Sequence, residues 1–418
     1  MKTGLTPAEA LDIVLREATA LGSETVAAER SRGRVLTDEV TSDRQLPPSD
    51  NSAMDGYAVR IADLTAASRQ HPVDLEVGFE VPAGAVPETS VEPGKAARIF
   101  TGAAIPPGAD AVVRQEDAER DNNRVSIFVS PSAREHIRDA GEDIRIGDRA
   151  LEAGSVIGPA EIGMLAALGR SVVAVHQRPT VAILSGGDEL VEPDGDIAGG
   201  RIVSSNSYSI AAQCRDAGAQ TVYLGIARDN PDDIRRRMLA GLRSDVLISS
   251  AGVSVGDRDY VRGTLEKLGC TLRFWGVKMK PGFPLAFGRF DARGGPLMFG
   301  LPGNPVSAIM TFEQFVRPAL RKMTGHRRLF RPTVRARLCE RLEKKAGRLH
   351  FVRVELESDG DEVTARSTGN QSSGVLRSMT RARGLLVFPA EAVELREGDY
   401  ATVQVLDADF FNTSEPAF

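Results

Sequence analysis

Apolar and polar positions follow two different periods along the chain, and the changes of period mark its organisation. The amino end has a helical stripe of apolar residues, formed by Leu11, Val14, Leu15, Ala18 and Leu21. Thr6 is a candidate N-cap before this stripe. Pro7 follows Thr6 at the first helical position, and Glu9 completes a capping box. The pattern therefore predicts an amphipathic helix that begins at Pro7.

Two other regions contain short apolar runs separated by glycine and proline turns, which is typical of β structure. The first covers residues 72–130 and predicts a small β domain. The second follows residue 331 and contains five runs: VRARLC, LHFVRVELE, EVTARS, GLLVFPA and TVQVLD. It predicts a terminal β barrel or sandwich.

From Pro179 onwards, strand and helix patterns alternate, which predicts a doubly wound α/β domain. Between Asp245 and Ser307 we interpret the pattern as three consecutive strand–glycine-loop–helix units. Their apolar runs are Val246–Ile248, Leu285–Phe287 and Leu297–Phe299.

These patterns together predict a multidomain protein of class α/β plus β. A central doubly wound α/β domain covers residues 178–326. An extended N-terminal domain of helix and strand covers 1–46 and 144–177, a small β domain covers 47–143, and a C-terminal β barrel or sandwich covers 327–418. A length of 418 residues agrees with several domains.

Charge and apolar content exclude some classes of function. The net charge of −5 provides no electrostatic surface for nucleic acid, and the arginines at 235–237 fit the solvent face of a helix. No apolar run approaches the ~20 residues of a membrane span, and Met1–Leu5 lacks a signal-peptide pattern. Cys214, Cys270 and Cys339 are few and far apart, so neither a disulfide framework nor a cysteine metal site is indicated. We therefore expect a cytoplasmic protein that binds neither nucleic acid nor membrane.

Candidate chemistry lies where the predicted strands end, because a doubly wound sheet binds ligands at its carboxyl edge. Small residues, a lysine and carboxylates occur there: Ser249, Ser250, Gly252, Ser254, Lys280, Asp257 and Asp259. Backbone amides and a cation suit a phosphate, and carboxylates suit the Mg²⁺ that accompanies it. Ordinary turn chemistry would explain any one loop alone, but three such loops together favour a ligand site.

Three acidic residues follow successive strands of the predicted sheet. Glu189, Asp229 and Asp259 should therefore converge on one crevice and hold a metal ion through oxygen. Asp259 has an alternative role as a helix N-cap, and Asp229 as a turn residue. Glu189 is harder to explain in that way, since Gly186 and Gly187 leave room for a ligand.

The segment SAMDGYA at 52–58 is also unusual. Asp55 and Gly56 would suit a hairpin turn, which is the structural alternative. The preceding QLPPSDNS, however, is a rigid polar loop and does not resemble the approach to a simple hairpin.

Several long motifs occur in a fixed order: PPSDNSAMDGYA, RIFTGAAIPPGADAVVRQED, GEDI, SGGDEL, SSAGVSVGDRDY and LPGNPVSA. With these motifs the chain resembles the molybdopterin molybdenumtransferases, bacterial relatives of the catalytic domain of gephyrin. The resemblance extends over essentially the whole chain.

The resemblance implies an enzyme of molybdenum cofactor biosynthesis that inserts molybdate into adenylylated molybdopterin and releases AMP. It also implies Mg²⁺ as cofactor and an elongated homodimer with four domains per subunit. We further expect transient contacts with molybdopterin adenylyltransferase and with molybdoenzyme chaperones. The absence of a cysteine cluster agrees with this chemistry, because the pterin's own dithiolene sulfurs bind the metal.

The family's site positions carry over onto residues of this chain. Its acidic positions are Asp55, Asp143 (in GEDI), Glu189, Asp229 and Asp259, of which the last three are the metal candidates. Its phosphate-loop and proline-motif positions are Thr101, Ser249, Ser250, Gly252, Ser254, Lys278, Lys280, Pro302 and Pro305. Without the resemblance, Asp143 would be interpreted as a surface turn residue.

One motif departs from a common pattern. Some bacterial members have KPGKP where this chain has KPGFP, so Phe283 replaces a second lysine, although other members also have an apolar residue there. Lys278 and Arg258 are candidates to hold the oxyanion instead. The sequence leaves the choice between molybdate and tungstate open.

Two other functions remain to be distinguished. An adenylyltransferase that acts on molybdopterin would share the fold of residues 180–325, but it has no use for the additional domains. A pterin carrier or scaffold would need no catalysis, but it gains nothing from five acidic residues that repel an anionic ligand.

Overall fold

The computed structural model describes residues 1–250, 260–290, 295–360, 362–413 and 416. The chain divides into two units by packing. The larger unit consists of Met1–Thr37, Gly154–Gly158 and Val172–Phe418, and the smaller unit of Asp38–Ala153 and Pro159–Ser171. The domain boundaries expected from the sequence stay predictions.

A seven-stranded mixed sheet forms the centre of the larger unit. Its strands lie in the order Lys2–Leu5, Cys270–Val277, Ala286–Phe290, Leu297–Leu301, Val246–Ser250, Thr180–Gly186 and Gln220–Ala227. The longer helices described in this unit are Pro7–Glu17, Ser205–Asp216, Pro231–Gly241, Tyr260–Lys267 and Pro305–Thr311, the last of which continues through a π-helical turn Phe312–Val316 to Arg317–Met323.

The sheet is covered on both faces, as the expected doubly wound architecture requires. Alternate residues of one strand belong to two separate cores, because successive side chains of a strand point to opposite faces. Ile183 and Ile248 pack with the helix Ser205–Asp216, whereas Leu184 and Leu247 pack with the helix Pro231–Gly241. Burial on both faces explains why these strands are continuous apolar runs.

The middle unit of the three expected strand–loop–helix units is different from the prediction. The strand Ala286–Phe290 is antiparallel to both of its neighbours, Cys270–Val277 and Leu297–Leu301. The connections on either side are too short for a crossover helix, and short connections join antiparallel strands. The beginning of this strand, and the KPGFP loop before it, therefore lie at the carboxyl edge of the parallel strands.

The amino-terminal helix begins as its sequence predicts. The Glu9 N–H donates to Thr6 Oγ1 at 3.3 Å, and the Thr6 N–H donates to Glu9 Oε2 at 2.8 Å, which completes the capping box. Its buried residues Ala10 and Val14 join the core of the central sheet. The strand Lys2–Leu5 before it, which the sequence pattern did not indicate, pairs with Cys270–Val277 at the sheet edge.

The C-terminal part of the larger unit is a closed barrel. Its five strands follow one another as Leu349–Asp359, Glu362–Ser367, Thr333–Leu338, Tyr400–Val405 and Gly384–Phe388, and the last pairs with the first. All five runs expected from the sequence are strands, and closure selects the barrel over the sandwich. One face of Leu349–Asp359 fills the barrel with Val352 and Val354, whereas Phe351 joins the core of the central sheet.

Short elements complete the larger unit. They are the strands Ser23–Ala27, Val172–His176, Leu190–Val191, Ile202–Val203, Met279–Lys280, Leu342–Glu343 and Glu394–Leu395, the helix Arg377–Arg381, and the 3₁₀ turns Ala28–Arg30 and Ala198–Gly200. Met279–Lys280 pairs with Leu349–His350 in parallel, so the KPGFP loop lies beside the start of the barrel's long strand. Within the described ranges, none of the helices has both the length and the apolar character of a membrane span.

The smaller unit contains the expected small β structure. Its six-stranded sheet has the order Ala111–Arg114, Gly56–Val59, Lys95–Ile99, Val73–Val81, Arg124–Ile127 and Ala118–Asp121. The other elements are the strand pairs Val40–Thr41 with Arg149–Leu151 and Asn51–Ser52 with Ile137–Arg138, the 3₁₀ turns Ile61–Asp63 and Gln115–Asp117, and the helix Pro159–Ala167.

Two half-buried histidines should make the stability of the larger unit depend on pH. Burial, followed by the charge of Arg321, lowers the pKa of His326 to about 4, and burial, followed by the charge of Lys280, lowers the pKa of His350 to about 4. Both are neutral in the folded chain, whereas in the unfolded chain they bind a proton below pH ~6.5. The free energy of unfolding should therefore fall as the pH falls from about 6.5 towards 4.

Urea unfolding at pH 7.5, 6.0 and 5.0 checks this expectation. The midpoint of unfolding should fall as the pH falls. In His326→Asn it should fall less, because one of the two histidines whose pKa is lowered by folding is removed. An equally steep fall in the variant would show that other groups control the dependence.

Candidate active site

The carboxyl edge of the central sheet brings several of the expected residues together. Four neighbouring strands end there in parallel, at Leu301, Ser250, Gly186 and Ala227. Pro302, Ser250 and Glu189 lie at or directly after three of these ends. Their roles in a site stay predictions.

A cavity of about 610 Å³ opens at this edge. Its walls contain the loop after Thr180–Gly186, the beginning of the helix Ser205–Asp216 and the beginning of the helix at Pro305. Its lining includes Glu189, Ser204, Asn206, Ser250, Pro302 and Pro305. Two helix N-termini on one cavity favour an anionic ligand, because their backbone N–H groups and dipoles carry partial positive charge.

Hydrogen bonds between small polar side chains fix the walls of this edge cavity. Ser204 Oγ donates to Ser185 Oγ at 2.9 Å, and Ser185 Oγ lies 3.4 Å from Ser250 Oγ. Asn206 Nδ2 donates to the Gly303 carbonyl at 2.7 Å and so connects the two helix starts. The sequence identified Ser250 but missed Ser185, Ser204 and Asn206, since their roles depend on contacts distant along the chain.

The exposed carboxylate of Glu189 lies directly against Gly187. A Cβ on Gly187 would lie 2.6 Å from both carboxylate oxygens of Glu189, and Gly187 has φ +140°. The nearby Asp229 is exposed, and its N–H donates to Asp188 Oδ1 at 3.2 Å. Exposed carboxylates on adjacent loops provide the oxygen ligands that Mg²⁺ prefers. Among the described residues, however, no three His, Cys, Asp or Glu side chains are close enough to hold a metal ion by themselves.

The KPGFP loop borders two further cavities, of about 490 and 560 Å³. Both are lined by Lys280, Pro281, Arg348 and Gln371, so these residues form their common border. The larger of the two also contains Lys344, Lys345, His350 and Arg353, together with Glu343, whose carboxylate is paired with Arg341 at 2.6 Å. Positive charge therefore dominates this region, which we name the basic border.

Arg353 is the most unusual residue of the basic border. It is 0% exposed, and only its Nη2 is bonded, at 3.2 Å each to the carbonyls of Asn370 and Ser372. Its Nε and Nη1 have no hydrogen-bond partner among the residues that the structure describes. Burial lowers the pKa of Arg353 to about 10, so it stays a cation at neutral pH. A buried guanidinium with two unpaired donor nitrogens needs further acceptors, and an anion is one group that would supply them.

The smaller unit contains its own group of expected residues. Asp55 Oδ1 accepts hydrogen bonds from the N–H of Thr101 at 2.7 Å and from its hydroxyl at 2.8 Å. These bonds, that of the backbone first, lower the pKa of Asp55, which stays ionised. Asp143 is exposed on another loop of this unit, where its N–H donates to the Leu46 carbonyl at 2.9 Å.

The remaining expected residues lie as follows. Ser249 is buried at the end of its strand, and Lys278 is exposed beside the amino-terminal strand, where its charge contributes to the lowered pKa of Glu9. Lys278 is not among the lining of the three cavities described above. Five residues lie outside the described part of the chain: Gly252, Ser254, Asp257, Arg258 and Asp259. The site roles of all these residues stay predictions.

Family models match nearly the whole chain. One for the MoeA N-terminal region (domain I and II) matches residues 5–169, one for a probable molybdopterin binding domain matches 182–322, and one for the MoeA C-terminal region (domain IV) matches 335–406.

Relatives match over most of their length as well. Molybdopterin molybdenumtransferase of a Nostoc species is 40% identical over 362 residues, which cover 86% of this chain and 83% of the relative. Molybdopterin molybdenumtransferase 2 of Mycobacterium tuberculosis is 37% identical over 380 residues, covering 90% and 93%. The crystal structure of the molybdopterin biosynthesis MoeA protein from Pyrococcus horikoshii has a TM-score of 0.82 at 29% identity, covering 96% of this chain and 100% of that one. On this agreement of sequence, length and fold, the chain belongs to the molybdopterin molybdenumtransferase family.

Proposed function

We propose that this protein inserts molybdate into adenylylated molybdopterin and releases AMP, as a step of molybdenum cofactor biosynthesis. The observation that carries the proposal is Arg353, a buried cation beside a basic cavity whose Nε and Nη1 have no partner among the described residues. A cation of this kind would bind a small oxyanion next to an organic phosphate. The family relatives, which are named molybdopterin molybdenumtransferases, support the same reaction.

The edge cavity, lined by Glu189, Ser204 and Ser250, binds the phosphate groups of the adenylylated pterin in this proposal. The first backbone N–H groups of two helices and the serine hydroxyls donate to phosphate oxygens, and such donors need no net charge to bind them. Their hydrogen bonds to one another keep them oriented before the substrate arrives, which reduces the cost of reorganisation in the reaction.

In this proposal molybdate binds at the basic border, whose lining includes the cations Lys280 and Arg353. Arg353 offers two N–H groups in a fixed geometry, which suits a tetrahedral oxyanion with several acceptor oxygens. Lys280 lines both cavities of the basic border. Pro302 lines the edge cavity and also the smaller cavity of the basic border, so the two anions would be neighbours.

Mg²⁺ is held in this proposal by Glu189 and Asp229, together with Asp259 from the part of the chain that is not described. Carboxylate oxygens are the ligands that the ion prefers, and it would also bind oxygens of the substrate phosphate. When bound, the ion supplies positive charge that neutralises phosphate oxygens. Gly187 leaves the space that the Glu189 carboxylate occupies, and Glu189 would be a ligand of the ion there.

In the smaller unit, Asp55 and Asp143 are proposed catalytic residues and Thr101 is a proposed substrate-binding residue. Two hydrogen bonds from Thr101 orient the carboxylate of Asp55 and lower its pKa, so the group stays ionised. We further propose that the protein is a cytoplasmic homodimer with transient contacts to molybdopterin adenylyltransferase and to molybdoenzyme chaperones. Light scattering of the purified protein tests the dimer directly.

The reaction is tested with purified protein, adenylylated molybdopterin, Mg²⁺ and molybdate. We expect AMP release that depends on molybdate. Pyrophosphate formed from molybdopterin and ATP would instead indicate an adenylyltransferase, and pterin binding without turnover would indicate a carrier. Replacing molybdate by tungstate in the same assay compares the two oxyanions.

A further inference from the structure

We infer that Arg348 is a ligand of the oxyanion in this chain and that Phe283 positions it there. The inference rests on the proposed function and deepens it, because it assigns the cation that takes the place of the lysine missing from KPGFP. Neither Lys278 nor Arg258 is needed for this role.

The first observation is the contact between the two side chains. Arg348 Cζ lies 4.7 Å from the centre of the Phe283 ring, which is a cation–π contact. The planar guanidinium covers the ring and keeps its edge N–H groups available for another acceptor. Among the described residues, no carboxylate is paired with Arg348 in an ion pair. Its charge is therefore available to a ligand.

The ring itself is held in place from the other side. Trp275 meets Phe283 edge-to-face with ring centres 5.5 Å apart. Gly276 has φ +80°, and a Cβ there would lie 3.2 Å from the Phe283 ring, so the glycine leaves space for it. Contacts with Trp275, Gly276 and Arg348 therefore hold the Phe283 ring in this orientation.

The second observation is the position of Arg348 relative to the other cations. Arg348 and Lys280 both line the two cavities of the basic border. Lys280 pairs with His350 across the two strands, two residues from Arg348. The charges of Lys280 and Arg348 both contribute, after burial, to the lowered pKa of His350, which places the two cations around the same point.

Charge and geometry together favour an oxyanion as the ligand. Cations that gather without paired carboxylates repel one another, and an anion bound between them removes that repulsion. A lysine at position 283 would place an ammonium in the same region. The aromatic ring achieves a similar result indirectly, because it orients a guanidinium that comes from the start of the barrel strand.

The experiment measures two quantities for each variant: the molybdate concentration for half-maximal AMP release and the maximal rate. Arg348→Ala should raise the half-maximal concentration about tenfold, because one charge-assisted hydrogen-bond donor is lost. Its maximal rate should change by less than about threefold, since the residue acts in binding. Phe283→Leu should raise the half-maximal concentration about threefold through the loss of the cation–π contact, whereas Phe283→Trp should keep it near the wild-type value.

The double variant F283K/R348A provides the decisive comparison. If Arg348 replaces the missing lysine, the new ammonium should restore molybdate binding to within about threefold of the wild type. An unchanged half-maximal concentration in Arg348→Ala, or a double variant no better than that single variant, would overturn the inference.

Exposed Arg335 of the barrel is the matched control, and Arg335→Ala should leave both quantities unchanged, since it bonds only the Tyr400 carbonyl among the contacts that the structure describes. Calorimetric titration of each variant with molybdate alone should give the same order of affinities. A wild type that never releases AMP would contradict the proposed function. Molybdate titration of the same variants would then still decide the role of Arg348.

Discussion

Replacing Arg353 by methionine should lower the rate of molybdate-dependent AMP release by about 10²–10³-fold, the loss that follows removal of one preorganised electrostatic donor. Methionine retains most of the volume of the buried side chain but removes its charge and its donors. The effect should exceed that of Arg348→Ala, because Arg353 is fully buried and its interaction with an anion is less screened by water.

Two further variants separate the charge of Arg353 from its role in the fold. Arg353→Lys keeps a cation but loses the planar fork, so it should recover only part of the rate. Thermal unfolding of all variants, with Arg335→Ala for comparison, reports whether the barrel remains intact. A folded Arg353→Met protein with wild-type AMP release would remove this residue from the oxyanion site.

Replacing Gly187 by alanine should lower the rate at least about tenfold, as expected when a carboxylate that supports a charged site is displaced. The new Cβ would fall 2.6 Å from both oxygens of Glu189, so the carboxylate must move. The Mg²⁺ concentration required for half-maximal rate should rise with it, because Glu189 is a proposed ligand of the ion.

Gly199→Ala is the matched control for this change. Gly199 also has a positive φ, +73°, but a Cβ there would meet no described atom within 4 Å. It therefore places alanine at a positive φ without the clash, at a backbone angle that costs alanine less than +140° does. Equal activity of the two variants would mean that backbone strain, and not the position of Glu189, determines the result.

Local patterns predicted much of the fold because their causes are local. The capping box at Thr6 and Glu9 depends on residues three apart, and the barrel strands follow from alternation within each run. The interpretation of Ala286–Phe290 as part of a strand–loop–helix unit was wrong, because its apolar character is the same in a parallel and an antiparallel strand. Only the lengths of the flanking connections distinguish the two.

The basic border was predicted only in part, for a related reason. Lys280 follows from its glycine loop, but Arg353 occupies the outward face of a barrel strand, where alternation predicts a residue in solvent. The residue is buried because that face, with Phe351 and Leu385, packs against the core of the central sheet. Arg348 reaches Phe283 through the pairing of Met279–Lys280 with Leu349–His350, which no local pattern indicates.

The central claim is that one molybdenum enters the pterin for each AMP that leaves. The most direct test is a single-turnover reaction of the wild-type protein with adenylylated molybdopterin, Mg²⁺ and excess molybdate. AMP is quantified by chromatography, and molybdenum in the separated pterin fraction by mass spectrometry. The account predicts equal amounts of the two products with the same time course. AMP release without molybdenum in the pterin would contradict it.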